Sequence, residues 1–562
     1  MKNKSDFSRR EFLTFSAAAG AVAAGASLIG CAPQTAQERD AREDTSDGSA
    51  ESGIQIDESQ ISETKECDVC VIGLGVAGVA AFRSAAEEGL KVVGVEKSSG
   101  PSARSSMFAA FNTDKVRAIG VQDIDPTTIA NELMIQMAHR ADYRVNVQWL
   151  KHCGEAFEWY ADAYDGLQWI GPEDAFPEDP SQMFVYANST EGDTYRFGVD
   201  HERLFGGCCV FGGGNETHTP ILLANVEKAL STGNAETVFE SPAVKLESQD
   251  GKVTGVICKS PNDDSFIRYK TSKGIVLATG GYSHNDDMLK KYAPWVLENK
   301  DKFLFSYEVR DPEGGFADTG DGHNMGIEVG GHVDVGPHAV MAHILQFGGA
   351  YALQVNERGD RFTNEDMSMT NISKIMLNQP GSKTFEIFDC HWVEQNPGLE
   401  ESMAFIRSFG DGEGFSATAH SLEELADQLG MDDESAERLA ASVSRYNELC
   451  DKGADEDFGK SIEKMFPILD PPFYAITYDT LKHTSVEDVS CMRLLTTMGG
   501  LVTNDRAQVL DDNLEAIPGL YAIGNTQGGR FVDDYPFSLS GASHGAALTY
   551  GYLVGKHLIK ND

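Results

Sequence analysis

Three glycines and one acid carry the first chemistry legible in this chain. Gly73, Gly75 and Gly78 follow the apolar run Val69 to Ile72, and Glu96 stands 18 residues beyond Gly78. Glycines at this spacing permit a tight turn and let backbone N–H groups reach a pyrophosphate at a helix N-terminus. An acid at this distance accepts hydrogen bonds from ribose hydroxyls, whereas a 2′-phosphate would want an arginine. Gly73, Gly75, Ala77, Gly78 and Glu96 are therefore expected to hold the adenosine half of a dinucleotide. No metal site is expected. Cys67-x-x-Cys70 lies at the start of a buried strand and does not read as a zinc knuckle.

The elements that must position these residues are a strand, a glycine turn, a helix and a second strand. The first run is β-branched and of strand length, a helix-like pattern ends near Gly89, and Lys91 to Val95 leads into Glu96. Further on, Asn131 to Asp165 has helical spacing and residues 166–220 read as loops. Pro220 to Leu230 reads as a helix, and Ala243 to Leu246 and Lys252 to Cys258 as strands around the hairpin signal Asp250-Gly251. A buried strand from Ser272 then delivers the turn Thr279-Gly280-Gly281.

With 562 residues the chain is long enough for more than one domain, and its formal net charge of −41 argues against nucleic acid and anionic membrane surfaces as partners. Residues 1–31 read as an address: Arg9-Arg10 precede a short Ala-rich apolar run, the pattern of a Tat export signal. Leu28-Ile29-Gly30-Cys31 resembles a lipobox, which makes Cys31 the expected membrane anchor. Residues 32–64, polar and acidic, read as a disordered linker. Removing Cys31 leaves an odd number of cysteines in no disulfide framework, and no local spacing specifies a haem or an iron–sulfur cluster.

Six separated segments carry a resemblance. They are the opening glycine turn, Thr279-Gly280-Gly281, Thr319-Gly-Asp-Gly322, Asn356-Glu-Arg-Gly-Asp-Arg-Phe-Thr-Asn-Glu365, Thr497-Met-Gly-Gly500, and Ile517-Pro-Gly-Leu-Tyr-Ala-Ile-Gly-Asn525. In this order they resemble the flavoprotein subunits of fumarate reductase and succinate dehydrogenase, within a wider group that includes urocanate reductase and the 3-ketosteroid dehydrogenases. The resemblance implies an α/β fold: a Rossmann-like FAD-binding domain (residues 65–326 and 497–562) split by an α+β capping domain (residues 327–496). It implies non-covalent FAD, with Thr279, Gly280 and Asp321 lining it, Gly524 and Asn525 approaching its ribityl chain, and Ser543 among its binding residues. Asn525 stands where the family usually has an acid.

The departures from that family decide the expected substrate. Its reductases carry an arginine proton donor where Met369 stands, a histidine where Thr496 stands, and a carboxylate-clamping arginine in the segment that here reads Phe531 to Gly541. A buried carboxylate needs such guanidinium forks. Arg361, Arg407, Arg493 and Arg530 could reach the pocket, and each is expected to be a surface or structural ion-pair residue instead. Tyr535-Pro536 followed by Gly541 resembles the ketosteroid dehydrogenases, in which such a tyrosine and a glycine amide hydrogen-bond a ketone oxygen. The expectation is an exported reductase of a carbon–carbon double bond conjugated to a carbonyl, acting on a neutral enone or unsaturated lactone. Tyr535 and Gly541 would polarise the carbonyl. A proton would come from the cap, where His343 and Tyr351 are the first candidates and His338 and Asp366 the next. Met341, Met367, Met369 and Met376 suit a bulky apolar substrate. Lacking a haem motif or a second nucleotide motif, the chain is expected to draw electrons from a separate donor such as a membrane or c-type cytochrome. The rival expectations are an acrylate-, urocanate- or cinnamate-type carboxylate reductase and a lipid-anchored flavin electron relay.

Overall fold

The computed structural model describes residues 54–102, 106–118, 123–170, 177, 182–187, 208–212, 218–305, 309–344, 346, 348–381, 383–395, 415–479, 492–536, 539 and 541–560. The stretch read as an export signal with Cys31, most of the stretch read as a linker, and Arg407 lie outside them.

A parallel sheet organises the larger part. Its strands, in spatial order, are Ala516–Ala522, Phe266–Leu277, Ile61–Ile72, Val92–Val95 and Ala235–Val238. Val69 to Ile72 are buried on both faces, which the near-continuous apolar run requires of a central parallel strand. The antiparallel pair Ala243–Gln249 and Lys252–Lys259 joins the edge of Phe266–Leu277. Its turn places Asp250 at φ 51° and Gly251 at φ 78°, the two left-handed positions that an Asp-Gly hairpin supplies.

Two helices cover one face at very close range. Val76–Glu87 packs on Ala542–Lys560, and a Cβ on Gly551 would strike Ala77 O and Ala80 Cβ, while one on Gly555 would strike Ala85 N at 2.5 Å. Ser84 Oγ donates to Tyr552 O at 2.7 Å across this contact. The chain thus leaves the sheet after Leu277 and returns to the neighbouring strand at Ala516, with the cap in between.

The cap is α+β. Leu353–Asn356, Lys383–Phe388, Phe473–Asp479 and Ala417–Ala419 form an antiparallel sheet. Leu439, Val443, Tyr446 and Leu449 of the helix Asp433–Lys452 recur at helical spacing and are buried in the same apolar core as the sheet residues Leu353, Phe385 and Ala475. A third sheet, Phe303–Phe305, Met492–Met498 and Ala339–His343, brings Thr496 and His343 to the junction.

Three expectations need correction. The first strand begins at Ile61, inside the stretch read as linker, because Ile61 pairs with Phe266 and Arg268 binds Glu58. The helical stretch Asn131 to Asp165 is two helices, Pro126–Gln136 and Tyr143–Ala161. Ala138 and His139 turn left-handed, and Asp142 caps the second helix by accepting from Arg144 N at 2.8 Å. The region read as loops contains the strands Gln168–Ile170, Phe184–Ala187 and Cys208–Gly212, which pair with one another and with Met107–Ala109. Their packing is aromatic: Phe211 stacks on Phe157 at 5.2 Å and meets Phe108 edge-on at 5.5 Å.

Candidate active site

The three opening glycines answer different demands. Gly73 has φ 93°, and a Cβ there would meet Ala278 O at 2.5 Å, so the strand end lies against its neighbour. A Cβ on Gly78 would strike Gly73 O, so the helix sits directly on the turn. Gly75 differs: the nearest atom a Cβ would meet is Ser102 O at 3.7 Å. The polypeptide itself leaves room at Gly75, which caps the helix N-terminus at Val76. There the first N–H groups have no intrahelical acceptor and suit a phosphate. Glu96 is pinned beside this cradle. Its Oε2 accepts from Leu74 N at 2.7 Å, and its Oε1 accepts from Ser98 N at 2.9 Å and Ser98 Oγ at 2.8 Å. A carboxylate has about four acceptor sites, so capacity for ribose hydroxyls remains. The residues present fit a dinucleotide.

The opposite wall is a connected polar patch. Asn525 is its centre: Nδ2 donates to Thr496 Oγ1 at 2.9 Å, and Oδ1 accepts from Ser543 Oγ at 3.1 Å and Arg530 Nη2 at 3.3 Å. Gly524 lies beside the first helix, where its Cβ would stand 3.0 Å from Ala77 Cβ. Thr279 Oγ1 accepts from Gly322 N at 3.1 Å and meets Thr526 Oγ1 at 3.2 Å, while Gly280 adopts φ 78°. Asp321 is tied to Lys97 at 2.7 Å and to Thr319 Oγ1 at 2.7 Å. Asp318, which the sequence reading missed, fixes the Thr279 turn by accepting from Gly281 N at 2.7 Å and from Ser283 Oγ. It directly precedes Thr319-Gly-Asp-Gly322, and that adjacency was the available signal.

Tyr535 is 3% exposed, and its hydroxyl oxygen accepts from Ser543 N at 3.3 Å. Gly541 also answers a steric demand. Its φ is 72°, a Cβ would meet Phe108 N at 2.6 Å, and its carbonyl accepts from Ala109 N at 3.0 Å. The amide found on Tyr535 is that of Ser543.

The proton-donor candidates separate. Asp366 is paired with Lys464 at 2.8 Å. His338 receives or donates at Tyr282 OH, 2.7 Å away, and stacks on Tyr292 at 4.4 Å; burial pushes its ring down to about 4. His343 ends its strand at the junction, and burial, reinforced by Arg493, pushes it down to about 3, so its ring is neutral at pH 7. Tyr351 is half-buried at the end of the turn Gly349–Tyr351. Glu386, a second residue the sequence did not reveal, holds that turn by accepting from Gly348 N at 2.9 Å, Gly349 N at 3.1 Å and Tyr478 OH at 2.7 Å.

The arginines also separate. Arg361 forks onto Glu365 at 2.8 and 2.9 Å and reaches Asp455 at 2.9 Å, and Lys460 lies 3.2 Å from Glu365. This is a buried structural quartet, as expected. Arg530 corrects the expectation: it is 1% exposed and makes no ion pair with any described residue. Met369 is packed in the core, and Thr496 is engaged by Asn525. Among the described residues, no group of three or more His, Cys, Asp or Glu could hold a metal, and no helix is long and apolar enough to cross a membrane.

The sequence profile of the FAD binding domain family matches residues 68–535. The digoxin reductase of Eggerthella lenta is 25% identical over 591 residues, covering 98% of this chain and 96% of that protein. The vinyl phenol reductase of Lactiplantibacillus plantarum is 24% identical over 536 residues, covering 87% and 96%. The NADH:fumarate oxidoreductase of Klebsiella pneumoniae is 27% identical over 88% of this chain, which spans about half (48%) of that protein's length. In solved structures, the fold is similar to a 3-ketosteroid-Δ4-(5α)-dehydrogenase from Rhodococcus jostii in complex with 4-androstene-3,17-dione (TM-score 0.64, 22% identity, 89% of this chain and 98% of that one). It is also similar to the open conformation of a flavocytochrome c3 fumarate reductase (TM-score 0.59, 23% identity, 89% and 79%). A family match over most of the chain, an α/β fold shared with these flavoproteins and a cradle left open at Gly75 lead to one identity: this chain belongs to the FAD binding domain family, and FAD is the cofactor of this oxidoreductase.

Proposed function

We propose that this enzyme acts on a CH–CH group, reducing a carbon–carbon double bond conjugated to a carbonyl, and that its substrate is a neutral enone or unsaturated lactone. The carrying observation is Tyr535: a buried hydroxyl whose oxygen accepts from the Ser543 amide at the start of a helix, on the wall shared with Asn525 and Ser543. FAD, when bound, supplies the hydride. Tyr535 donates to the oxygen on which charge develops, a preorganised donor in a dry site. Tyr351, on the turn held by Glu386, is the proton source we favour, since burial keeps His343 neutral.

Met369 and Thr496, where a dicarboxylate reductase would keep an arginine and a histidine, support a neutral substrate. So does the similarity to a digoxin reductase and to the ketosteroid dehydrogenase fold. Arg9-Arg10 and Leu28 to Cys31 support Tat export and anchoring through Cys31, with electrons arriving from a separate carrier such as a membrane or c-type cytochrome. The test is an anaerobic panel of dye-reduced holoenzyme against neutral enones and lactones, and against fumarate, urocanate, acrylate and cinnamate. Reoxidation by the neutral set is expected. Reoxidation by carboxylates alone would refute the proposal, and reoxidation by neither would favour an electron relay.

A further inference from the structure

The C-terminal segment buries a guanidinium that makes no ion pair with any described residue. Nη2 of Arg530 donates to Gly524 O at 2.5 Å and to Asn525 Oδ1 at 3.3 Å, both uncharged acceptors. Nε and Nη1 are buried and make no hydrogen bond to any described residue. Asp334 attracts Arg530 but makes no ion pair with it, and its Oδ2 accepts from Gly529 N at 2.7 Å. Arg361 shows the contrast within the same chain, with every charge in its quartet answered. Burial pushes Arg530 down to about 10, which still leaves it a cation at neutral pH. A lone interior cation is unfavourable unless an anion meets it.

The neighbours say which anion. Gly524 and Asn525 stand beside the N-terminus of Val76–Glu87, next to the open cradle at Gly75, and Asn525 also bonds Ser543 at the start of Ala542–Lys560. The guanidinium therefore joins two helix N-termini on the cofactor wall. We propose that Arg530 is the buried counter-charge to the anionic part of bound FAD, either its pyrophosphate or its reduced ring, which it meets through Nε and Nη1. The proposal rests on the family's cofactor and not on the enone reading, so the two fail separately.

Two variants of the full-length protein test it, R530Q and R530M. Apo-protein is retitrated with FAD, and the midpoint potential is read by dye equilibration. Pairing with the pyrophosphate predicts about tenfold weaker binding of oxidised FAD at an unchanged potential. Pairing with the reduced ring predicts unchanged binding of oxidised FAD and a lower potential, by about 30 mV for each tenfold loss of reduced over oxidised FAD. R530M guards against misfolding, because an apolar side chain in place of an uncompensated buried charge is often tolerated. Its apo-protein is expected to melt no lower than wild-type apo-protein, while FAD raises its melting temperature less. Unchanged FAD affinity and potential in both variants would overturn the proposal. So would an effect confined to the KM of carboxylate substrates, which would make Arg530 a substrate clamp.

Discussion

Replacing Tyr535 by Phe removes one oxygen and keeps the ring. The ring is buried and meets Phe531 edge-on at 5.6 Å, so its packing survives. The ground-state bond from Ser543 N to Tyr535 Oη is a long one, at 3.3 Å. A bond of this kind contributes about 0.5–1.5 kcal/mol net, so the variant should fold and melt within a few degrees of wild type. Loss of one transition-state donor is a larger effect, about 2.7–4 kcal/mol, or roughly 10²- to 10³-fold in kcat. The two magnitudes separate a structural tyrosine from a catalytic one. The assay is anaerobic stopped-flow reoxidation of dye-reduced holoenzyme by a saturating neutral enone, with FAD content and melting temperature as controls. The account expects a fall of this size in the rate with KM changed only a few-fold. A wild-type rate in a fully loaded Y535F enzyme would remove Tyr535 from the mechanism.

Other outcomes follow from the same geometry. Gly78→Ala should yield no stable holoenzyme, because its Cβ would strike Gly73 O, whereas Gly75→Ala should fold and lose FAD affinity; thermal melts and FAD titration distinguish them. Glu365→Gln leaves Arg361 and Lys460 short of one buried carboxylate and should cost about 3–5 kcal/mol, read as a lowered urea midpoint. His338 and His343 fold with pKa values pushed down to about 4 and 3 by burial. The unfolded chain therefore binds more protons below about pH 6.5, and stability should fall as pH drops from there toward 4. Equal urea midpoints at pH 7 and pH 5 would contradict this. Glu365 adds to the acid loss, since its quartet holds its carboxyl below the usual range and that stability disappears as pH falls through the folded value.

The local motifs were legible because their chemistry is contained in short spans. The glycine turn, Glu96, the Asp250-Gly251 hairpin and the Thr279-Gly280 turn each need particular residue types at particular backbone angles, and the chain supplies them in order. Long-range partners were not legible. Arg361 and Arg530 are alike in sequence, and only the fold shows that acids surround one and carbonyl and amide oxygens the other. The helix break at Ala138 and His139 carries no glycine or proline to announce it; its sign was Asp142, a capping residue inside an apparently continuous pattern. The steric demand at Gly541 was not legible, because the contact that makes it is with Phe108, far away in the chain. The strands within 166–220 were hidden by their brevity, and the first strand's start at Ile61 by the polar residues it presents to solvent.

The most direct test of the central claim is a crystal structure of the FAD-loaded enzyme with a neutral enone or lactone bound. The account predicts the carbonyl oxygen within hydrogen-bonding distance of Tyr535 Oη, with Ser543 N still on that hydroxyl. A ligand carboxylate gripped by Arg530, with Tyr535 turned away from the ligand, would contradict it.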